Sequence, residues 1–137
     1  EFWSRDGDAE QQTILSDSVK PIFDQGLATL VEMDHRISAE ISLTPTPGHT
    51  PGHVSVMIES KGQRALITGD MLHHPCQFGH PEWSPTFDSD PVAGASMRRS
   101  VMERVAGQPI LVIGTHFAAP TAGRVKRDGG AFKFDVA

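Results

Sequence analysis

The chain has 137 residues, the length of one ordinary domain, and its 38% hydrophobic and 21% charged residues are the balance of a folded, water-compatible protein. No apolar run approaches the roughly 18 residues a membrane span needs, so the chain is not expected to cross a bilayer. Twelve Lys and Arg against seventeen Asp and Glu give a net charge of −5. With no basic patch interleaved with aromatics, this excludes a nucleic-acid or anionic-membrane surface and favours a small uncharged substrate. Cys76 is the only cysteine, which rules out an internal disulfide and a thiolate zinc site and is compatible with a reducing, cytoplasmic setting. Glu1-Phe2-Trp3-Ser4 carries no initiating Met, basic segment or apolar segment of a targeting signal, so the sequence reads as a fragment or processed product.

In chain order, Ile14, Leu15, Val19, Ile22 and Phe23 recur near every 3.6 residues between Ala9 and Gly26. This predicts an amphipathic helix, strained at Pro21 and stopped at Gly26. Two strands are predicted next, Ala28 to Met33 and Glu40 to Thr44. The segment Pro45-Thr46-Pro47-Gly48-His49-Thr50-Pro51-Gly52-His53 holds too many prolines and glycines for a helix or an internal strand and must be a shaped loop. Beyond it, Val54, Val56 and Ile58 alternate with polar residues, and the turn Lys61-Gly62-Gln63 leads to Ala65-Leu66-Ile67, a β-hairpin. The stretch Met71 to Thr86 reads as a long irregular loop, and loops of that length tend to be functional. Asp90 and Pro91 supply an N-cap and first position for a helix carrying Met97, Val101 and Val105 and ending at Gly107. Ile110 to Ile113 reads as a strand covered on both faces. Two late strands, near Gly123 to Lys126 and Phe132 to Val136, flank the turn Asp128-Gly129-Gly130. One domain over residues 1–137 is expected, with no internal repeat.

Three of these strands are followed by glycine-punctuated polar groups, Gly48-His49, Gly69-Asp70 and Gly114-Thr115-His116. Strand ends on one rim of a sheet converge, and imidazole and carboxylate are the ligands a zinc-like divalent ion takes, with a carboxylate able to hold two ions. His49, Asp70 and His116 are therefore the candidate metal ligands. The alternatives for each are structural: a loop histidine in a proline-rich turn for His49, a turn cap for Asp70, a surface histidine for His116. His53 is as readily a packing residue as a residue supporting the site, and Pro51-Gly52 prevents a helical pair with His49. His73, His74, Cys76 and His80 could form a separate metal site, although their spacing matches no zinc pattern. Phe78, Trp83 and Phe117 read as core packing in preference to pocket lining.

The string Thr46 to Val54, followed by Thr68-Gly69-Asp70 and Gly114-Thr115-His116, resembles the third, fourth and fifth metal motifs of the metallo-β-lactamase superfamily. The likeness runs from about Leu43 to the end and is nearer in tone to the glyoxalase II, lactonase and methyl parathion hydrolase branches. It implies an α/β (α+β) αββα sandwich, of which this chain would be the C-terminal half: one mixed or antiparallel sheet with two main helices. It further implies a dinuclear zinc centre, with Mn, Fe or Co as substitutes, in which His49 and His116 are ligands and Asp70 bridges. Metal-activated hydroxide would hydrolyse an ester, lactone, thioester or phosphotriester, Asp70 orienting the attacking oxygen. Some lactonases of the family place a Tyr three residues after the bridging Asp, and His73 occupies that position here, so Asp70 and His73 are the candidate catalytic residues. The family's His-x-His-x-Asp-His string is absent. The resemblance therefore implies a complementing N-terminal half or a homo-oligomer as partner, and the alternative reading is a non-catalytic assembly module with weak or no metal binding.

Overall fold

In the computed structural model, which describes residues 2–136, the chain forms two compact units, Glu1–Glu32 and Met33–Ala137. The first holds α1 (Phe2–Asp6), α2 (Ala9–Ile14) and α3 (Lys20–Asp24). Helix α2 opens on a capping box not anticipated from the sequence: the Asp8 side chain accepts from the Gln11 amide while the Gln11 side chain accepts from the Asp8 amide. Leu15–Val19 form a π-helical turn joining α2 to α3, with the Lys20 amide donating to the Leu15 carbonyl. This extra-wide turn lies directly ahead of Pro21, whose ring would otherwise meet the carbonyl four residues back, so the helical path continues past the proline. It ends at Gly26, as expected.

The strand expected over Ala28 to Met33 does not form; residues 27–32 have no regular structure. Leu27 and Leu30 are 75% and 71% exposed, so these apolar residues have neither the ladder nor the buried face that stabilises a strand.

The second unit is a six-stranded sheet in the order β1 (Ile41–Pro45), β2 (Val54–Ser60), β3 (Gln63–Ile67), β4 (Ile110–Ile113), β5 (Ala122–Asp128), β6 (Ala131–Asp135). All neighbours are antiparallel except β3 and β4, which run parallel, so the sheet is mixed. Lys61 and Gly62 both take positive φ, the requirement of the tight turn between β2 and β3. Between β3 and β4 the chain passes through α4 (Cys76–Gly79) and α5 (Pro91–Val105). Helix α5 starts where the Asp90 carboxylate accepts the Ala93 amide at 2.9 Å, with Pro91 in the first turn.

Register places Met57, Leu66 and Val112 side by side across β2, β3 and β4. Leu66 and Val112 join Val101, Met102 and Val105 of α5, together with Phe78, Phe117, Val125 and Phe132, in the buried core. Phe78 and Phe117 are thus core residues, whereas Trp83 is half exposed and stacks on His80. The core takes only alternate residues of β4: Ile110 and Val112 are buried while Leu111 is 36% exposed, so the expectation of a strand covered on both faces is corrected to one covered on a single face. Among the described residues no helix is long and apolar enough to cross a membrane.

Candidate metal centre

The loop at residues 46–53 is a shaped turn pinned at both ends. The Thr46 amide donates to the His53 carbonyl at 3.0 Å, and the Gly48 and His49 carbonyls accept from the Asp90 and Ser89 amides at 3.0 and 2.9 Å. His49 is thereby fastened to the approach of α5. Its Nδ1 lies 3.2 Å from Asp88 Oδ1, and the other Asp88 oxygen is 3.2 Å from Arg98 Nη1. A carboxylate can only accept, so Nδ1 is the nitrogen that donates to Asp88, and Nε2 is the one left for the rest of the site. That Nε2 points at Asp70 Oδ2, 3.5 Å away.

Asp70 lies on the short 3-10 turn Gly69–Met71 at the end of β3. Gly69 has φ +56°, and a Cβ there would come within 2.7 Å of His53 Nε2, so the turn is close-packed against that ring. The Asp70 amide donates to His53 Nε2 at 2.9 Å. His116 follows β4 and brings its Nε2 to 2.6 Å from Asp70 Oδ1. The two Asp70 oxygens are therefore met by two different imidazoles, one from each side. Burial pushes the Asp70 carboxyl upward, but the His116 hydrogen bond and the surrounding imidazoles outweigh it and hold the group below its ordinary value.

His73 completes the cluster. Its ring stacks on His116 with centroids 4.7 Å apart and meets Phe87 edge-on at 5.1 Å; Phe87 also contacts His49. Its backbone amide donates to Gln77 Oε1 at 2.7 Å, and buried Gln77 in turn donates to the Trp83 carbonyl, which fixes the course of the long loop. Among the described residues, the buried Nδ1 atom of His73 has no hydrogen-bond partner. Desolvation lowers the pKa of His73 and likewise that of His53, so both rings are neutral near pH 7.

The structure brings His49, Asp70, His73 and His116 together. Asp70, His73 and His116 each offer one donor atom within 4.8 Å of the others. The remaining histidines of the loop do not join them. His74 Nδ1 accepts from the Cys76 amide, and His80 pairs with Glu82 and stacks on Trp83. Sequence reasoning missed Asp88 and Arg98. The signal for Arg98 was present: it stands one turn before Val101 and Met102, a charge in the buried stripe of α5.

The donor set suits divalent ions. Imidazole nitrogens of His49 and His116 each face a different oxygen of one carboxylate, the ligand types a zinc-like ion takes, and Asp88 behind His49 orients that ring.

Over residues 10–117 the sequence matches the Metallo-beta-lactamase superfamily. It is 33% identical over 86 residues to an N-acyl homoserine lactonase of Bacillus sp., covering 62% of this chain and 34% of the relative. The fold is similar to that of the hydrolase AbOPH of the beta lactamase superfamily, with TM-score 0.83 and 22% identity over 99% of this chain and 52% of that one. It is also similar to an N-acyl homoserine lactone hydrolase whose product, N-hexanoyl-L-homoserine, is bound at the catalytic metal center. There the TM-score is 0.57 and the identity 26%, over 67% of this chain and 36% of that one. The chain thus spans about a third of the curated relative and about half of AbOPH.

Proposed function

The chain belongs to the metallo-β-lactamase superfamily, and on that premise we propose that it carries one side of the metal centre of a metal-dependent hydrolase acting on a small neutral ester-like substrate. The observation that carries this reading is the placement of His49 and His116 on opposite oxygens of Asp70. His49, Asp70 and His116 would hold the metal, with zinc as the first ion to test and Mn, Fe or Co as substitutes. Bound divalent ions would supply Lewis acidity and lower the pKa of water to about 7.

The chain's own residues do the rest. Asp88 holds His49 in one tautomer and orientation. Asp70 accepts the hydrogen bond that orients the attacking water. His73, at the edge of the cluster beside Phe87, donates to the substrate oxygen on which charge develops. A catalytic zinc has three protein ligands, and two ions sharing Asp70 would have two each here, so further ligands would come from a complementing N-terminal half or a second copy. Among esters, lactones, thioesters and phosphotriesters, the lactonase relative makes a lactone the first substrate to test. The lone free Cys76 suits a cytoplasmic setting.

The test is elemental analysis of the zinc-equilibrated chain together with hydrolysis of an N-acyl homoserine lactone, alone and with the complementing segment. Metal that is lost in Asp70→Asn, with hydrolysis that requires it, is expected. A chain that takes up no zinc in either state favours the assembly-module reading instead.

A further inference from the structure

Three separate loops deliver His49, Asp70 and His116, and a buried line of hydroxyls runs between them. Thr46, Ser55 and Thr68 are 1%, 0% and 0% exposed. Thr46 Oγ1 is 3.1 Å from Ser55 Oγ, which donates to the Thr68 carbonyl at 2.9 Å. Thr68 Oγ1 donates to the Gly69 carbonyl at 3.1 Å and accepts the Thr115 amide at 3.4 Å. At the other end, His53 Nδ1 lies 2.8 Å from Thr46 Oγ1 and 3.0 Å from the Thr46 carbonyl, while Nε2 accepts the Asp70 amide.

The donors and acceptors admit one consistent direction. An amide only donates, so His53 Nε2 is bare and the ring proton is on Nδ1, directed at Thr46. The Thr46 hydroxyl then donates to Ser55, and Ser55 to Thr68. Reversing any one of these leaves a buried donor or acceptor unmatched.

We infer that His53, with Thr46, Ser55 and Thr68, is a positioning relay for the metal centre. His53 holds the Asp70 amide and so fixes where its carboxylate points, and the hydroxyl line ties that turn to the His49 loop through Thr46 and to the His116 loop through Thr115. His53 acts on the site only through Asp70. The inference rests on the reading of Asp70 as a metal ligand, and its test separates the two.

His53→Phe fills the ring's space without its hydrogen bonds, and His53→Gln restores an acceptor near Nε2. Zinc chloride titration calorimetry, exchange of the Asp70 amide followed by NMR, and Tm are measured on the full chain for each. The relay predicts zinc affinity about 10- to 100-fold weaker in His53→Phe, faster Asp70 amide exchange, and recovery of most of both in His53→Gln. A packing role would lower Tm and leave the zinc affinity of the folded chain unmoved, and that result overturns the inference. If the wild-type chain takes no zinc, alone or with the complementing segment, the metal reading fails and the relay is judged on exchange alone: an Asp70 amide equally protected in His53→Phe overturns it, and one that loses protection supports it. Should His53→Phe not fold, Ser55→Ala breaks the line while keeping His53; weaker zinc binding or faster Asp70 exchange supports the relay, and neither overturns it.

Discussion

Arg98 and Asp88 form an ion pair at 3.2 Å with both side chains sealed from solvent, 1% and 0% exposed. Arg98 also donates through Nε to the Pro81 carbonyl at 2.7 Å and through Nη2 to Ser84, so one side chain of α5 holds both the long loop and the carboxylate behind His49. Removing one partner of a buried pair leaves an uncompensated charge and costs about 3–5 kcal/mol. Arg98→Met and Asp88→Asn are each expected to lose stability of that order in urea denaturation. The double variant should cost clearly less than the two added together; full additivity would show that the pair is not coupled.

Metal content discriminates between the ligand sets this cluster can offer. Asp70→Asn should abolish zinc uptake, because every arrangement uses Asp70, and His116→Gln should reduce it. His49→Gln should reduce it, and His73→Gln should leave stoichiometry unchanged while impairing hydrolysis if His73 serves the substrate oxygen. The reverse pattern, with zinc lost in His73→Gln and retained in His49→Gln, would assign the ion to Asp70, His73 and His116, the three whose donor atoms lie within 4.8 Å of one another.

The loop histidines make stability depend on pH. Burial lowers the pKa of both His53 and His73 in the folded chain, whereas an unfolded imidazole takes its proton near 6.5. Below that value the unfolded state binds more protons, so stability is complete above about pH 7 and declines as pH falls from 6.5 toward the lowered folded values. Asp70, also lowered, adds a further loss at more acidic pH. Urea midpoints of the metal-free chain at pH 8, 6.5 and 5.5 should fall in that order, with a shallower fall in His53→Phe; a flat profile would contradict the burial argument.

Much of the second unit could be read from residue order because its signals are local. The Lys61-Gly62 turn, the alternation in β2, the Asp90-Pro91 helix start and the glycine-punctuated ends of β3 and β4 each follow from neighbouring residues. What was not legible depends on partners distant in sequence. Asp88 carries no signal of its own until the fold brings His49, 39 residues earlier, against it. Ala28 to Met33 is apolar enough for a strand, yet residues 27–32 have no regular structure and Leu30 and Val31 lie exposed. The continuous apolar run of β4 suggested cover on both faces, but whether a second layer reaches Leu111 is not written in β4 itself.

Gly48 sets how closely the His49 loop approaches α5. Its φ is +142°, which L side chains rarely adopt, and a Cβ would fall 2.4 Å from Gly94 Cα and 2.6 Å from Gly94 N, backbone atoms that cannot turn aside. Gly62, with φ +74°, has nothing within 4 Å of its Cβ position and isolates the conformational cost alone. Gly62→Ala should therefore lose about 1–2 kcal/mol and leave zinc binding intact. Gly48→Ala must add to its own strain a displacement of the loop, breaking the Asp90-to-Gly48 and Ser89-to-His49 hydrogen bonds and drawing His49 away from Asp88. It should cost more than Gly62→Ala in urea denaturation and weaken zinc affinity as well. Equal losses in the two variants, with zinc affinity unchanged in both, would show that His49 reaches Asp70 without help from the close contact between its loop and the helix.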